Sequence, residues 1–236
     1  LPWVLERTKN QVVEECQAHE ILSGAVNTID EVVDNNPQFL ARGYWTSLEH
    51  PEAGTLRYPG APIQTKERWW RFNRSAPLLG QHNQEILNGK LAPSGNGKEA
   101  LPKTDKNWKR LPLEGIRVLD ITLVFAGPYG TMFLADMGAE VIRVESLNVF
   151  PTSTRGQFAR PSKEAEARQA ISMYPNRDPG ERPWNRFAMF NAHARNKYSM
   201  TADLTTAEGR EVFRKLVEVS DVFVENVATG AMKRLG

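Results

Sequence analysis

The chain has 236 residues, 40% hydrophobic and 25% charged, and its 30 basic and 28 acidic residues leave a net charge of +2. That usage argues against a disordered or fibrous chain, and the intermixed signs offer no concentrated basic face for a nucleic-acid backbone. No apolar run is long enough to cross a bilayer, LPWVLERTKNQ lacks the pattern of a signal peptide, and one cysteine precludes an internal disulfide. A cytoplasmic protein without membrane or nucleic-acid partners is expected.

In residues 4–21, Val4, Leu5, Thr8, Val12, Val13 and Cys16 share one helical face, which predicts a packed amphipathic helix with Cys16 as a small core residue. His19, His50, His82 and His193 show no metal-ligand spacing with one another or with Cys16, so no metal is expected. The sequence TIDE places Thr28 and Glu31 as a capping box ahead of Val32 and Val33, and NNPQF ends that second helix. Residues 43–80, rich in proline and aromatics, suit brief strands joined by turns. There, Trp69, Trp70 and Phe72 stand near Arg68, Arg71 and Arg74 and could stack single-stranded bases; packing is the favoured reading. Residues 88–112 are rich in Gly, Pro, Lys and Asn and read as a linker.

Beyond the linker the pattern changes. Residues 116–121 read as a β-branched strand, 128–137 as a helix closed by Gly138, and 140–144 as a second strand ending at Glu145. The unit repeats in residues 198–204 (strand), TTAE from Thr205 to Glu208 (capping box), a helix burying Val212, Phe213, Leu216 and Val217, and residues 221–225 (strand). Such alternation builds an α/β fold: a Rossmann-like parallel βαβ region over about 112–236, after a smaller helix-plus-short-strand segment. Between the two units, residues 148–184 read as a polar surface excursion with a short helix at 163–171.

A dinucleotide-binding opening wants GxGxxG at the first strand-to-helix turn and an acid further on for the ribose. Glu145 fits the acid, but the turn TLVFAGPYG separates Gly127 and Gly130 by Pro128, which contributes no amide. A nicotinamide cofactor is therefore disfavoured. Ala126 and Gly127, just ahead of a helix N-terminus, suit either a closely approaching anionic ligand or tight strand–helix packing.

LPLEGIRVLDITLVFAGPYGTMFLADMGAEVIRVE and SDVFVENVATGAMKRLG resemble the N-terminal blocks of the type III CoA-transferase family, which includes formyl-CoA transferase and carnitine CoA-transferase-like enzymes. The first half is similar to that family's C-terminal end, through ILSGAVNTIDEVVDNNPQFLARGYW, EHPEAGTLRYPGAPIQ and RSAPLLGQHNQEIL. The resemblance implies that residues 1–88 are the C-terminal segment of one unit, 89–111 a linker, and 112–236 the N-terminal CoA-binding portion of a second unit. The whole would be the junction of a tandem fusion; circular permutation is the alternative.

Members of the family move CoA from an acyl-CoA to a carboxylic acid. The chemistry implied is attack of an aspartate carboxylate on the thioester, with an aspartyl-CoA intermediate, oxyanions held by backbone amides, and water excluded. By resemblance Val124, Phe125 and Ala126 line the CoA path, while Asn226, Val227, Ala231 and Arg234 lie near its nucleotide and pantetheine portions. The departures are Ser146, where a basic residue is common, and residues 202–205, which lack a common lysine. The nucleophilic aspartate belongs to a block beyond Gly236; Asp120, Asp136, Asp203 and Asp221 do not match it. The chain alone is thus expected to be inactive, its partner being another such unit in an intertwined dimer or tandem pseudo-dimer. Alternatives are a racemase of α-methylacyl-CoA on the same fold, a nucleotide-dependent oxidoreductase, and a non-catalytic assembly domain.

Overall fold

The computed structural model describes residues 2–89, 110–147, 154–156 and 171–235. Contacts divide the chain into two compact units, residues 1–45 and 46–236. The predicted helix at 163–171, save its last residue, and the interior of the predicted linker lie outside the described residues.

The first unit holds α1 (Pro2–Leu5), α2 (Lys9–Ala18), α3 (Ile29–Asp34) and α4 (Pro37–Ala41). The single helix expected over residues 4–21 is in fact two, because Thr8 and Gln11 form a reciprocal capping box that starts α2 afresh. None of its residues is buried, so Cys16 is only partly covered. Thr28 and Glu31 cap α3 as expected from the sequence, and Lys9 bonds Glu31 at 2.5 Å. The NNPQF stretch ends α3 but also starts α4, since the Asn36 side chain accepts from the amides of Gln38 and Phe39 and Pro37 suits the first helical position.

From Thr46 the second unit takes in the rest of β1 (Trp45–His50) and β2 (Gly54–Pro59), a two-stranded sheet whose turn is tied by the amides of Glu52 and Ala53 donating to His50 Nδ1. After α5 (Asn83–Leu87) come β3 (Arg117–Asp120), α6 (Ala126–Asp136), β4 (Glu140–Glu145), α7 (Pro183–Arg186), α8 (Ala188–His193), β5 (Tyr198–Thr201), α9 (Ala207–Glu218), β6 (Val222–Val224) and α10 (Ala231–Leu235). The four later strands form one parallel sheet in the order β5-β4-β3-β6. Val118 and Val141 pack with Ala135 of α6 on one face; Leu119, Ile142 and Met200 pack with Phe213 and Leu216 of α9 on the other. Both faces are therefore covered, and yet β3 (RVLD) and β4 (EVIRVE) carry buried charges at Arg117, Asp120, Arg143 and Glu145 beside their apolar residues.

The outer edge of β5 is covered by residues 80–83. His82 N donates to Ser199 O, Ser199 N donates to His82 Nδ1, and Asn83 pairs with Thr201 through both its amide oxygen and nitrogen. An edge strand so paired exposes no free ladder. Further back, the amides of Asn73 and Arg74 donate to Asn196 Oδ1. Trp70 packs on Phe133 and Phe72 on Tyr58, so the aromatic run near the arginines is a packing feature. Among the described residues no helix is long and apolar enough to cross a membrane, and no cluster of three or more His, Cys, Asp or Glu could hold a metal.

Candidate functional site

Counting the parallel strands from β3, their spatial order is third, second, first, fourth. The order in which strands are added reverses at β3, with β4 and β5 on one side and β6 on the other, and at such a switch point the loops leave the strand ends in opposite directions and open a crevice. Here the crevice has a volume of about 290 Å³, and its lining includes Ile121, Leu123, Thr154, Leu204, Val227 and Ala231. It is mostly apolar with a few polar groups, as small-molecule sites tend to be.

Of the residues proposed from sequence, Val227 and Ala231 line this crevice. Asn226 stands at its rim, where its side chain exchanges two hydrogen bonds with the backbone of Leu123, at 2.7 and 2.9 Å. Val124, Phe125 and Ala126 form the adjoining exposed turn, with Val124 in the left-handed region at φ +67°. Arg234 is exposed on α10. Gly127 serves packing: a Cβ there would lie 2.5 Å from the Thr122 Cβ, so the space above it is already filled. The first helical amides of α6 still lack acceptors within the helix, as every helix start does.

Beneath the crevice lies a buried ionic network that the sequence reading did not foresee. Lys197 Nζ donates to Asp120 Oδ2 at 3.0 Å, Thr131 Oγ1 at 2.8 Å and the Pro128 carbonyl at 2.9 Å. Asp120 also accepts from the amide and hydroxyl of Thr122 and pairs with Arg143 at 3.5 Å. Burial resists ionisation of Asp120, but Lys197, Arg143 and the two threonine hydroxyls outweigh it and hold the carboxyl far below the usual carboxylate range. Burial pushes Lys197 down to about 8 against the pull of Asp120. With its oxygens fully engaged, Asp120 has no free lone pair to act as a nucleophile.

Glu145, which fitted a ribose-binding role by position, is instead held from two sides. Arg155 donates to both its oxygens at 2.8 Å, and Ser199 Oγ bonds it at 2.9 Å. Burial again resists ionisation, and Arg155 prevails, keeping the carboxyl low. Arg155 further bonds Asn185 and the Pro77 carbonyl and lies 3.6 Å above the Phe190 ring centroid. The expected surface excursion thus sends one arginine into the core, 1% exposed. Its neighbour Thr154 is equally buried, and among the described residues its hydroxyl has no partner. Valine has the same shape without the orphaned hydroxyl, so Thr154→Val is expected to raise the unfolding free energy by about 1 kcal/mol in a urea titration.

The sequence pattern described as CoA-transferase family III matches residues 2–83 and 113–236. Over 126 residues the chain is 38% identical to a formyl-CoA:oxalate CoA-transferase from Streptomyces avermitilis, covering 52% of this chain and 25% of that protein. It is also 38% identical over 122 residues to a succinyl-CoA:mesaconate CoA-transferase from Haloarcula hispanica, covering 52% and 26%. The crystal structure of Rv3272 from M. tuberculosis, orthorhombic form, aligns with a TM-score of 0.39 at 35% identity, covering 54% of this chain and 29% of that one. The chain spans about a quarter of the length of the curated relatives it matches. With both matched blocks together accounting for most of its residues, the chain belongs to CoA-transferase family III.

Proposed function

We propose that this chain supplies the CoA-binding portion of an enzyme that moves CoA from an acyl-CoA thioester to a carboxylic acid in the cytoplasm. The observation that carries the reading is the crevice at the β3/β6 switch point, where Val227 and Ala231 meet the turn of Val124, Phe125 and Ala126 through Leu123 and Asn226. Phosphates and a developing oxyanion would find free amides at the start of α6, and the apolar lining suits the pantetheine arm. The nucleophilic aspartate lies outside this sequence, and Asp120, fixed in its ion pairs, does not replace it. Two matched blocks flanking residues 84–112 support the tandem reading, in which the tail of one unit precedes the head of the next. The hydrogen bonds of residues 80–83 along β5 fit it too, since they let the tail cover the sheet edge of the following head within one chain.

Calorimetric and thermal titration of the purified chain with CoA, and separately with NADH, tests the reading. CoA at a hundredfold excess over Kd is expected to add about 2.7 kcal/mol of stability and raise Tm by several degrees. Stabilisation by NADH with a flat response to CoA would overturn it.

A further inference from the structure

We infer that Asn226 is a positioning residue for CoA binding: it clamps the β3–α6 turn in a strained form that aims the first amides of α6, and it acts through that turn. The inference rests on the CoA reading above. Ladder bonding between β3 and β6 ends where Ile121 N donates to Val224 O at 3.1 Å. One step on, no backbone partner takes over among the described residues; the Asn226 side chain does so instead. Leu123 N donates to its Oδ1 and its Nδ2 donates to Leu123 O, so a carboxamide imitates a strand neighbour across the switch point.

The next residue shows what the clamp holds. Among the described residues, positive φ outside glycine occurs at Glu20, Val124, Asn176, Arg177 and Asn196, and Val124 alone of these is β-branched. A branched Cβ makes that conformation an outlier, and an outlier persists only where its surroundings over-determine it. Core burial does not supply the constraint, because Val124 is 43% exposed. The fixed points are instead the Asn226 clamp on one side and, on the other, Gly127 seated on Thr122. Between them lie Phe125 and Ala126, whose backbone direction the clamp therefore determines.

Four proteins test this: wild type, Asn226→Ala, Val124→Gly and the double variant, each read for Tm and for CoA affinity. Both positions are exposed, so all four are expected to fold. Glycine adopts positive φ freely. While Asn226 holds the turn, Val124→Gly relieves strain and is expected to raise Tm by about 2–4 °C. In the Asn226→Ala background the turn has already relaxed, and the same change is expected to leave Tm unchanged or lower it. Asn226→Ala alone is expected to weaken CoA about tenfold, and the double variant to recover to within about threefold of wild type, a coupling that additive sites do not show. Equal effects of Val124→Gly on Tm in both backgrounds, with an undiminished affinity loss in the double variant, would overturn the clamp and mark Asn226 as a direct ligand contact. Failure of the wild type to bind CoA would overturn the functional reading instead, and the reversal in Tm would still decide the clamp.

Discussion

Replacing Lys197 by methionine is expected to lower the unfolding free energy by about 3–5 kcal/mol, because it removes one partner of a fully buried ion pair and leaves the other in place. Asp120 would retain Arg143 at 3.5 Å and the threonine hydroxyls, while Thr131 Oγ1 and the Pro128 carbonyl would lose the ammonium that joins them. Since Pro128 lies in the first turn of α6, the loss also loosens the helix start beside the crevice. The pH dependence separates this from a simple packing defect. In the wild type the folded-state carboxyl of Asp120 is held below its unfolded value, so its contribution is complete above about pH 4 and is lost as pH falls further. Without Lys197 that depression is smaller, and the gap between the two proteins should narrow as the solution is acidified.

Lys197 itself adds a second component that also rises with pH, in a higher window. Its folded-state value of about 8 lies below the ordinary 10.5, so between those limits the unfolded chain binds the extra proton. Wild-type stability should therefore gain a rising component from about pH 8 upward, and Lys197→Met should lack it. Denaturant titrations at about pH 2.5, 7 and 9 read all three regimes. A cost under about 1 kcal/mol at pH 7, with parallel pH curves, would show that the pair is a spectator.

The alternation of apolar strand and capped helix was legible because it is local, and so β3, α6, β4, β5, α9 and β6 fall where period and caps put them. Their ends shifted by a few residues for identifiable reasons. The strand expected over 198–204 stops at Thr201 because Asp203 turns the chain: its side chain takes the amide and hydroxyl of Thr205, and its carbonyl takes the amide of Thr206. The helix cap then falls on Thr206, one residue later than TTAE suggested. The pairings that build the site were not legible, since they join residues far apart in the chain without any period. Asn226 meets Leu123 across 103 positions, and Lys197 meets Asp120 across 77. A signal did exist in Arg143, a cation set among Val141, Ile142 and Val144, and in Lys197 just ahead of β5: a charge inside a two-sided buried strand must find a counter-charge. Arg155 carried no such mark, because its stretch reads as polar surface.

Gly209 is the position where the smallest possible side chain is expected to do the most harm. It is the third residue of α9, with an ordinary helical backbone, where alanine normally improves stability by about 1 kcal/mol. Here the Asp203 carbonyl lies against its Cα, so an added Cβ would collide with the oxygen and would sit 2.6 Å from the carbonyl carbon and 3.1 Å from the Asp203 nitrogen. All three atoms are backbone, and they cannot retreat cheaply. The carbonyl accepts from the amide and hydroxyl of Thr206, and the Asp203 side chain is bonded to Thr205. Gly209→Ala is therefore expected to cost about 2–4 kcal/mol through overpacking, and to weaken CoA binding, since Asp203, Leu204 and Thr205 line the crevice. Gly130 provides the control, because it lies within α6 with nothing within 4 Å of the site a Cβ would take. Gly130→Ala is expected to raise stability by about 0.5–1 kcal/mol, as helix propensity alone dictates. Opposite signs for one substitution in two helices, measured by urea unfolding, would trace the effect at Gly209 to the chain folded across it; matching gains at both positions would refute the close approach of Asp203.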